Sequence, residues 1–393
     1  MPWFEQQTVL LDDDFRASHL EALLAFNAAQ GQGRFFQPVY RGLRTNNYVG
    51  FLSVGDYAVE ILPKLGQEQA AEGQWRNLFL SMLFYVEDLP LHLFWEQALP
   101  LQATDQRLGL GQLLWWSWAN WMEDLLQRGL LRHYRQEAQT LPHLRGRLDL
   151  RRQLSLGAGQ AMQFFTQSQV YDEQHALHHI LHRALLLGLR QPLPAALLQR
   201  LRALLAAFPP QPWQPLPSVL PSLDERTAHY GPALRLAWLL LQSLDVAWQF
   251  GKVPLAGMLW HMPQLYERYL HKRLLQDFGA DLQAQQAHVF APGRSLRPDF
   301  QWPSPQGLVL ADAKWKHWPG AAVATADLQQ MILYQHLLQA PQAWLLYPSL
   351  AQRTEQLDLP LFQALSNGQW PQLSLLRLSL WEEGDLARGG IFS

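Results

Sequence analysis

The chain has 393 residues, more than one hydrophobic core usually organises, so two or three domains are expected. It contains no cysteine, which excludes disulfides, thiolate metal sites and a cysteine nucleophile and suits a reducing cytoplasm. A net charge of −2 with 16% charged residues excludes a globally basic protein, so any contact with nucleic acid has to be local.

Residues 1–7 lack a basic segment followed by an apolar run, and apolar stretches such as Ala237 to Leu241 fall far short of the roughly 20 residues a bilayer requires. A cytoplasmic protein without a secretory signal or membrane span is therefore expected. The 17 tryptophans are read as core and interface residues rather than as base-stacking platforms.

In chain order, a helix over Ser18 to Ala29 precedes extended segments at Phe35 to Tyr40, Tyr48 to Ser53 and Tyr57 to Leu62. Val54-Gly55-Asp56 supplies a residue free to take positive φ between two β-rich runs, a hairpin signal. Residues 1–75 thus form a β-rich domain. From Trp75 to about Arg135 the pattern turns helical, with Leu78, Met82 and Tyr85 at spacings of three and four.

Helical periodicity also covers Tyr171 to Phe208 and Pro232 to Phe250. Between them the prolines from Pro209 to Pro217 form a connector over 209–221. Residues 76–250 are read as a helical middle region, and the breaks at Gly251 and Pro254 start a last domain, 251–393.

Two side-chain clusters stand out in the middle region. Arg128, Arg132, Arg135, Arg145, Arg147, Arg151 and Arg152 form the densest basic stretch, read either as a solvated helix face, which we favour, or as phosphate contacts. His175, His178, His179 and His182 have spacings of three and four, but no H-E-x-x-H pattern or cysteine accompanies them, and a zinc site is not expected.

The last third carries the chemistry. Leu265 to Phe278 reads as a helix with Glu267, Leu270 and Leu274 on one face, and a carboxylate on an apolar stripe needs a partner, a metal or a place at the core margin. Three strands follow, Ala287 to Ala291, Arg297 to Trp302 and Leu308 to Trp315. If Pro303 pairs with Leu308 across the Pro/Gly-containing turn, Asp299 faces Asp312, with Cβ atoms about 4.5–5.5 Å apart. Alternation puts Lys314 on the face of Asp312.

Two facing carboxylates beside an ammonium suit a site for Mg²⁺, or Mn²⁺ in its place, that neutralises and orients a phosphodiester. Lys314 either stabilises the developing phosphate charge or orients and deprotonates water. A surface ion-pair cluster is the plain alternative. A helix over Ala326 to Leu338 then places Gln330 and Tyr334 one turn apart, and a strand at Ala343 to Tyr347 follows.

Taken together, these motifs resemble the PD-(D/E)xK nuclease superfamily and, more narrowly, the McrC family. Arg297-Pro298-Asp299 looks like the first metal-binding motif, Asp312-Ala313-Lys314 like D-x-K, Leu265 to Tyr269 like the helix with the acid Glu267, and Asp327 to Tyr334 like the trailing Gln-Tyr helix. Upstream, Val54-Gly55-Asp56 with Val59 to Lys64 resembles the N-terminal McrC signature, and Arg145-Gly146-Arg147-Leu148 its mid-chain basic segment. Trp260-His261-Met262-Pro263 departs from the pattern, which has an acid and an asparagine near its middle.

The resemblance implies a multidomain α+β protein: a β-rich N-terminal domain, a helical middle and a C-terminal α/β restriction-endonuclease-like nuclease domain. It implies an Mg²⁺-dependent DNA endonuclease subunit with Asp299, Asp312 and Glu267 as metal ligands and Lys314, Gln330 and Tyr334 completing the catalytic set. Contacts to double-stranded DNA are expected from Arg145, Arg147, Arg297 and Lys316. It further implies a hexameric McrB-like AAA+ GTPase partner, stimulated by the N-terminal part. The sequence contains no G-x-x-x-x-G-K-[ST] stretch, so a P-loop motor must be another polypeptide. The alternatives are a free-standing repair nuclease of the same superfamily and a chain acting chiefly as motor-activating adaptor.

Overall fold

The structure is a computed structural model that describes residues 3–29, 33–55, 57–64, 72–90, 109–155, 163–244, 248–250, 253–316, 323–349, 354–358 and 372–379. Asp56, in the hairpin turn named above, lies outside them. The chain divides into two compact units, one built from residues 1–91 and 247–393 and the other from 92–246.

In the first unit the expected hairpin forms between strands Tyr48–Val54 and Tyr57–Leu62, with Val54 paired to Tyr57 and Gly55 at φ 61°. Strand Tyr48–Val54 also pairs antiparallel along seven residues with Val253–His261, within a five-stranded sheet completed by Trp3–Phe4 and Trp248–Phe250. A three-stranded sheet of Thr8–Leu10, Gly42–Thr45 and Phe36–Val39 and the helix Ala17–Ala29 accompany it. Trp3, Phe15, Leu23, Phe36, Leu52 and Ile61 fill the core between them.

This pairing changes the division read from the sequence. Residues 253–261 open no separate domain; they add a strand to the N-terminal sheet, so both ends of the chain share a unit. Gly50 makes that seam possible, because a Cβ there would stand 2.0 Å from the Met258 carbonyl oxygen. Trp248–Phe250 is correspondingly a strand rather than the end of a helix.

The first unit also holds the helices Glu72–Val86 and Met262–Phe278, a two-stranded sheet of His288–Ala291 and Arg294–Leu296, and a six-stranded sheet in the order Gln283–Ala284, Phe300–Ser304, Gly307–Ala313, Gln342–Ser349, Gln372–Ser379 and Glu355–Asp358. The central strands Gly307–Ala313, Gln342–Ser349 and Gln372–Ser379 run parallel. Parallel neighbours need a crossover, and the helix Thr325–Leu338 lies in the one joining the first two. Residues Ala343 to Pro348 are all buried, as expected of a strand covered on both faces. Leu310, Met331, Leu345 and Leu375 form the core under that helix.

The second unit contains helices Leu110–Arg128, Ala176–Gly188, Ala195–Ala207 and Gly231–Leu244 and a three-stranded antiparallel sheet of His133–Leu141, Phe164–Asp172 and Arg147–Leu148. Its core holds Trp115 and Trp118, whose rings meet edge-on at 5.5 Å, and the Trp118 indole donates to the Ala233 carbonyl at 2.8 Å. The helical reading fails at two places. It stops short of Arg135 because Gly129, at φ 90°, ends the helix, and the next segment alternates as a strand. Tyr171 likewise belongs to a strand. The proline-rich segment is an irregular connection inside this unit, not a boundary between units.

Candidate active site on the six-stranded sheet

The hairpin that carries the two aspartates pairs as expected, Pro303 with Leu308 and Phe300 with Ala311. Asp299 sits just before its strand, and its Oδ2 accepts the Ala313 N–H at 2.8 Å. The residue opposite in register, Asp312, is only 2% exposed. Lys314 continues the parallel ladder through its N–H to the Leu346 carbonyl at 2.9 Å, and its Nζ contacts Asp312 Oδ2.

From Lys314 a chain of polar contacts leads into the following helix. The ammonium donates to Gln330 Oε1 at 2.9 Å, the Gln330 amide donates to the Tyr334 hydroxyl at 3.0 Å, and that hydroxyl donates to the Arg297 carbonyl at 3.4 Å. Residues one helical turn apart share a face, and that face meets the end of the lysine strand. Three further side chains enter the cluster. Buried Asp327 lies 3.9 Å from Lys314, accepts Lys316 Nζ at 2.9 Å on both oxygens and accepts the Tyr347 hydroxyl at 3.3 Å.

Burial raises the Asp312 carboxyl to about 6, reinforced by Asp299, against the pull of the Lys314 ammonium. Asp299 is also raised, by burial and then by Glu267. For Lys314 burial works downward, but the neighbouring Asp312, Asp327 and Asp299 carboxylates together outweigh it and the net shift is upward. Tyr347 is raised by burial and by Asp327. The site is thus a buried acid, Asp312, beside a half-buried one, Asp299, both held at a cost, with one ammonium against them.

Among the described residues no group of three or more His, Asp or Glu side chains is placed to hold a metal ion. Glu267, Asp299 and Asp312 are not gathered into one ligand set; the Gln285 amide stands between Glu267 and Asp299. What the residues do fit is a hard cation held through one or two carboxylates, the usual protein share of Mg²⁺ ligands. The donors are all oxygen, and a cation would offset the burial that raises both aspartates, the push of Glu267 on Asp299 and that of Asp299 on Asp312.

Of the four expected DNA contacts, Arg297 is exposed beside Asp299, whereas Lys316 is engaged with Asp327. Arg145 and Arg147 are exposed but belong to the other unit. The basic stretch is not one helix face: Arg135 pairs with Asp172 at 2.8 Å across two strands, and Arg132 with Glu173 at 2.5 Å. Asp327 was open to sequence reasoning, being three residues before Gln330 on the same helix. Gln285 carries no local signal of its role.

Two of the four histidines are held by hydrogen bonds within the fold. His178 is fully buried, with Nδ1 against the Glu173 carbonyl at 2.5 Å and Nε2 against the Tyr230 hydroxyl at 2.8 Å, while His175 accepts the Leu177 N–H at the start of its helix. Replacing His178 by alanine leaves a void and takes from the Tyr230 hydroxyl one of its two partners, the other being the Leu131 N–H at 2.6 Å, for an expected loss of about 2–4 kcal/mol. A zinc-selective chelator, with Mg²⁺ kept constant, is expected to leave the melting temperature unchanged; a drop on zinc removal, restored by zinc, would reverse this assignment.

Glu5 reaches the same strand end. It is 2% exposed, and its Oε2 accepts the Lys64 N–H and the Trp315 indole, both at 3.1 Å. Its Oε1 is buried without a hydrogen-bond partner, and burial raises the carboxyl to about 7. A raised acid stabilises the fold fully below its unfolded value of 4.5 and loses that contribution as pH rises through about 7. Between pH 5 and 8 the wild type is therefore expected to lose about 2–3 kcal/mol relative to Glu5→Gln in urea melts. Parallel pH profiles for the two proteins would contradict this.

By its fold this is a mixed α/β multidomain protein similar to chains in solved McrBC assemblies. One is the refined half-complex from the tetradecameric assembly of Thermococcus gammatolerans McrB AAA+ hexamers with bound McrC, at 17% identity and TM-score 0.69, covering 96% of this chain and 94% of that one. Another is the cryo-EM structure of the Thermococcus gammatolerans McrBC complex, at 19% identity and TM-score 0.52, covering 70% and 87%. No curated protein matches the sequence. The chain belongs to the McrBC 5-methylcytosine restriction system component family, whose model matches residues 43–348. Among the described residues no helix is long and apolar enough to cross a membrane.

Proposed function

We propose that this chain is the McrC-like nuclease subunit of a modification-dependent restriction system, hydrolysing phosphodiester bonds of double-stranded DNA with Mg²⁺. The observation that carries the reading is the pair of half-buried Asp299 and buried Asp312 with Lys314 against it and Gln330 and Tyr334 behind it, at the end of a central strand of a parallel-cored sheet. Asp299 and Asp312 would hold the cation, which when bound supplies charge neutralisation on the phosphate and an activated water. Lys314 places a fixed positive charge at the reacting phosphate. Gln330 and Tyr334 orient Lys314, and Asp327 keeps Lys316 in place beside it.

Two observations favour a separate motor. The sequence has no P-loop, and the solved assemblies similar to this chain contain McrB AAA+ hexamers. The partner is therefore proposed to be a McrB-like AAA+ GTPase hexamer, and cleavage to require it. The test is plasmid cleavage with Mg²⁺ by the chain alone and by the chain with its partner and GTP. Cleavage confined to the complex, lost in Asp312→Ala while partner binding persists, is the expected result. Efficient cutting by the chain alone would point to a free-standing nuclease, and Mg²⁺-dependent cutting by the Asp312→Ala complex would remove the assignment altogether.

A further inference from the structure

Gln285 lies between strands Gln283–Ala284 and His288–Ala291, exposed, with a backbone φ of 52°. That left-handed conformation is uncommon for a residue other than glycine, asparagine or aspartate. Its peptide N–H donates to the Asp299 carbonyl at 3.0 Å. Its side-chain amide nitrogen donates to Glu267 Oε1 at 2.8 Å and to Asp299 Oδ1 at 2.7 Å. An exposed glutamine in a loop ordinarily leaves its amide to water; this one directs every one of these donors at two acids of the candidate site.

We propose that Gln285 is a positioning residue that brings Glu267 into the metal-binding set. The inference rests on the nuclease reading above. Two carboxylates drawn together repel, and Glu267 sits on a helix while Asp299 sits on the turn before a strand, so nothing in the local chain fixes one against the other. An amide NH₂ has two hydrogens and can satisfy both acids at once. A cation arriving at Asp299 then meets a Glu267 carboxylate already within reach. Without the amide, Glu267 would have to be ordered against repulsion at the moment of binding. Partners of this outer kind typically set metal affinity by 10–100-fold.

Mn²⁺ affinity, measured calorimetrically on the full chain, tests this without reference to cleavage. Gln285→Met and Glu267→Gln are each expected to weaken Mn²⁺ binding about 10-fold, and the double variant to bind no more weakly than the weaker single one, because Gln285 acts through Glu267. Gln285→Gly removes the amide together with the left-handed strain. It should melt no lower than the wild type and show the same loss of affinity, separating the site from the fold. Unchanged affinity in both Gln285 variants, or losses that add fully in the double variant, would overturn the proposal. A wild type that does not bind Mn²⁺, or binds it equally after Asp312→Asn, would instead overturn the nuclease reading, and this inference with it.

Discussion

Asp312→Asn is expected to reduce Mg²⁺-dependent cleavage by about 10³-fold while changing stability by no more than about 1 kcal/mol. The two halves of this expectation have different causes. Activity falls because the variant removes one of the two charges that make the site attractive to a cation, in a position only 2% exposed where water cannot substitute. Stability holds because two effects oppose. Burial and Asp299 make the ionised Asp312 costly, raising it to about 6, so the neutral amide relieves a penalty. Against this, Lys314 loses its nearest anion, and removing one member of a buried pair is ordinarily expensive.

Here the second term is small, since Lys314 keeps Gln330 at 2.9 Å and the Asp327 carboxylate at 3.9 Å. Cleavage by the partnered complex, followed beside a thermal melt, checks both halves. Cutting within about tenfold of the wild type would sink the catalytic assignment, whereas a collapsed melting temperature would mean that Asp312 is a structural anion for Lys314.

The contrast between what local sequence fixes and what it hides follows the distance over which each feature is decided. The Asp299 and Asp312 hairpin was legible because its register depends on a two-residue turn, Pro305-Gln306, with Gly307 at φ 127° beside it and alternation on either side. Once Pro303 pairs with Leu308, the acids must face each other. The Gln330 and Tyr334 face was legible for the same reason, a single helical period. The pairing of Tyr48–Val54 with Val253–His261 was not, because a seam between residues some 200 positions apart leaves no local trace. Gly50 and Gly257 mark it only after the strands are side by side.

Gln285 belongs to the same class. Its function is defined by two acids from elsewhere in the chain, and its left-handed backbone is a property of the folded loop rather than of its residue type. The middle region was misread for a different reason. Gly129 interrupts an otherwise continuous apolar pattern, and a single stop signal was outweighed by the helical run before it.

Lys314→Met is expected to lower the cleavage rate by about 10²–10³-fold, and Lys314→Arg to retain more activity than Lys314→Met across pH 7 to 9. The structure bears on the choice the sequence left open, between a lysine that stabilises charge and one that deprotonates water. A base must be able to lose its proton near the working pH, which for lysine requires burial to dominate. At Lys314 burial does act in that direction, but the Asp312, Asp327 and Asp299 carboxylates together outweigh it and hold the group protonated. With Gln330 fixing its direction, the ammonium acts as a charge aimed at the phosphate, a role a guanidinium can partly fill. The pH–rate profile decides it: a rate that climbs tenfold per pH unit toward pH 9 in the wild type, and not in Lys314→Arg, would make Lys314 the base.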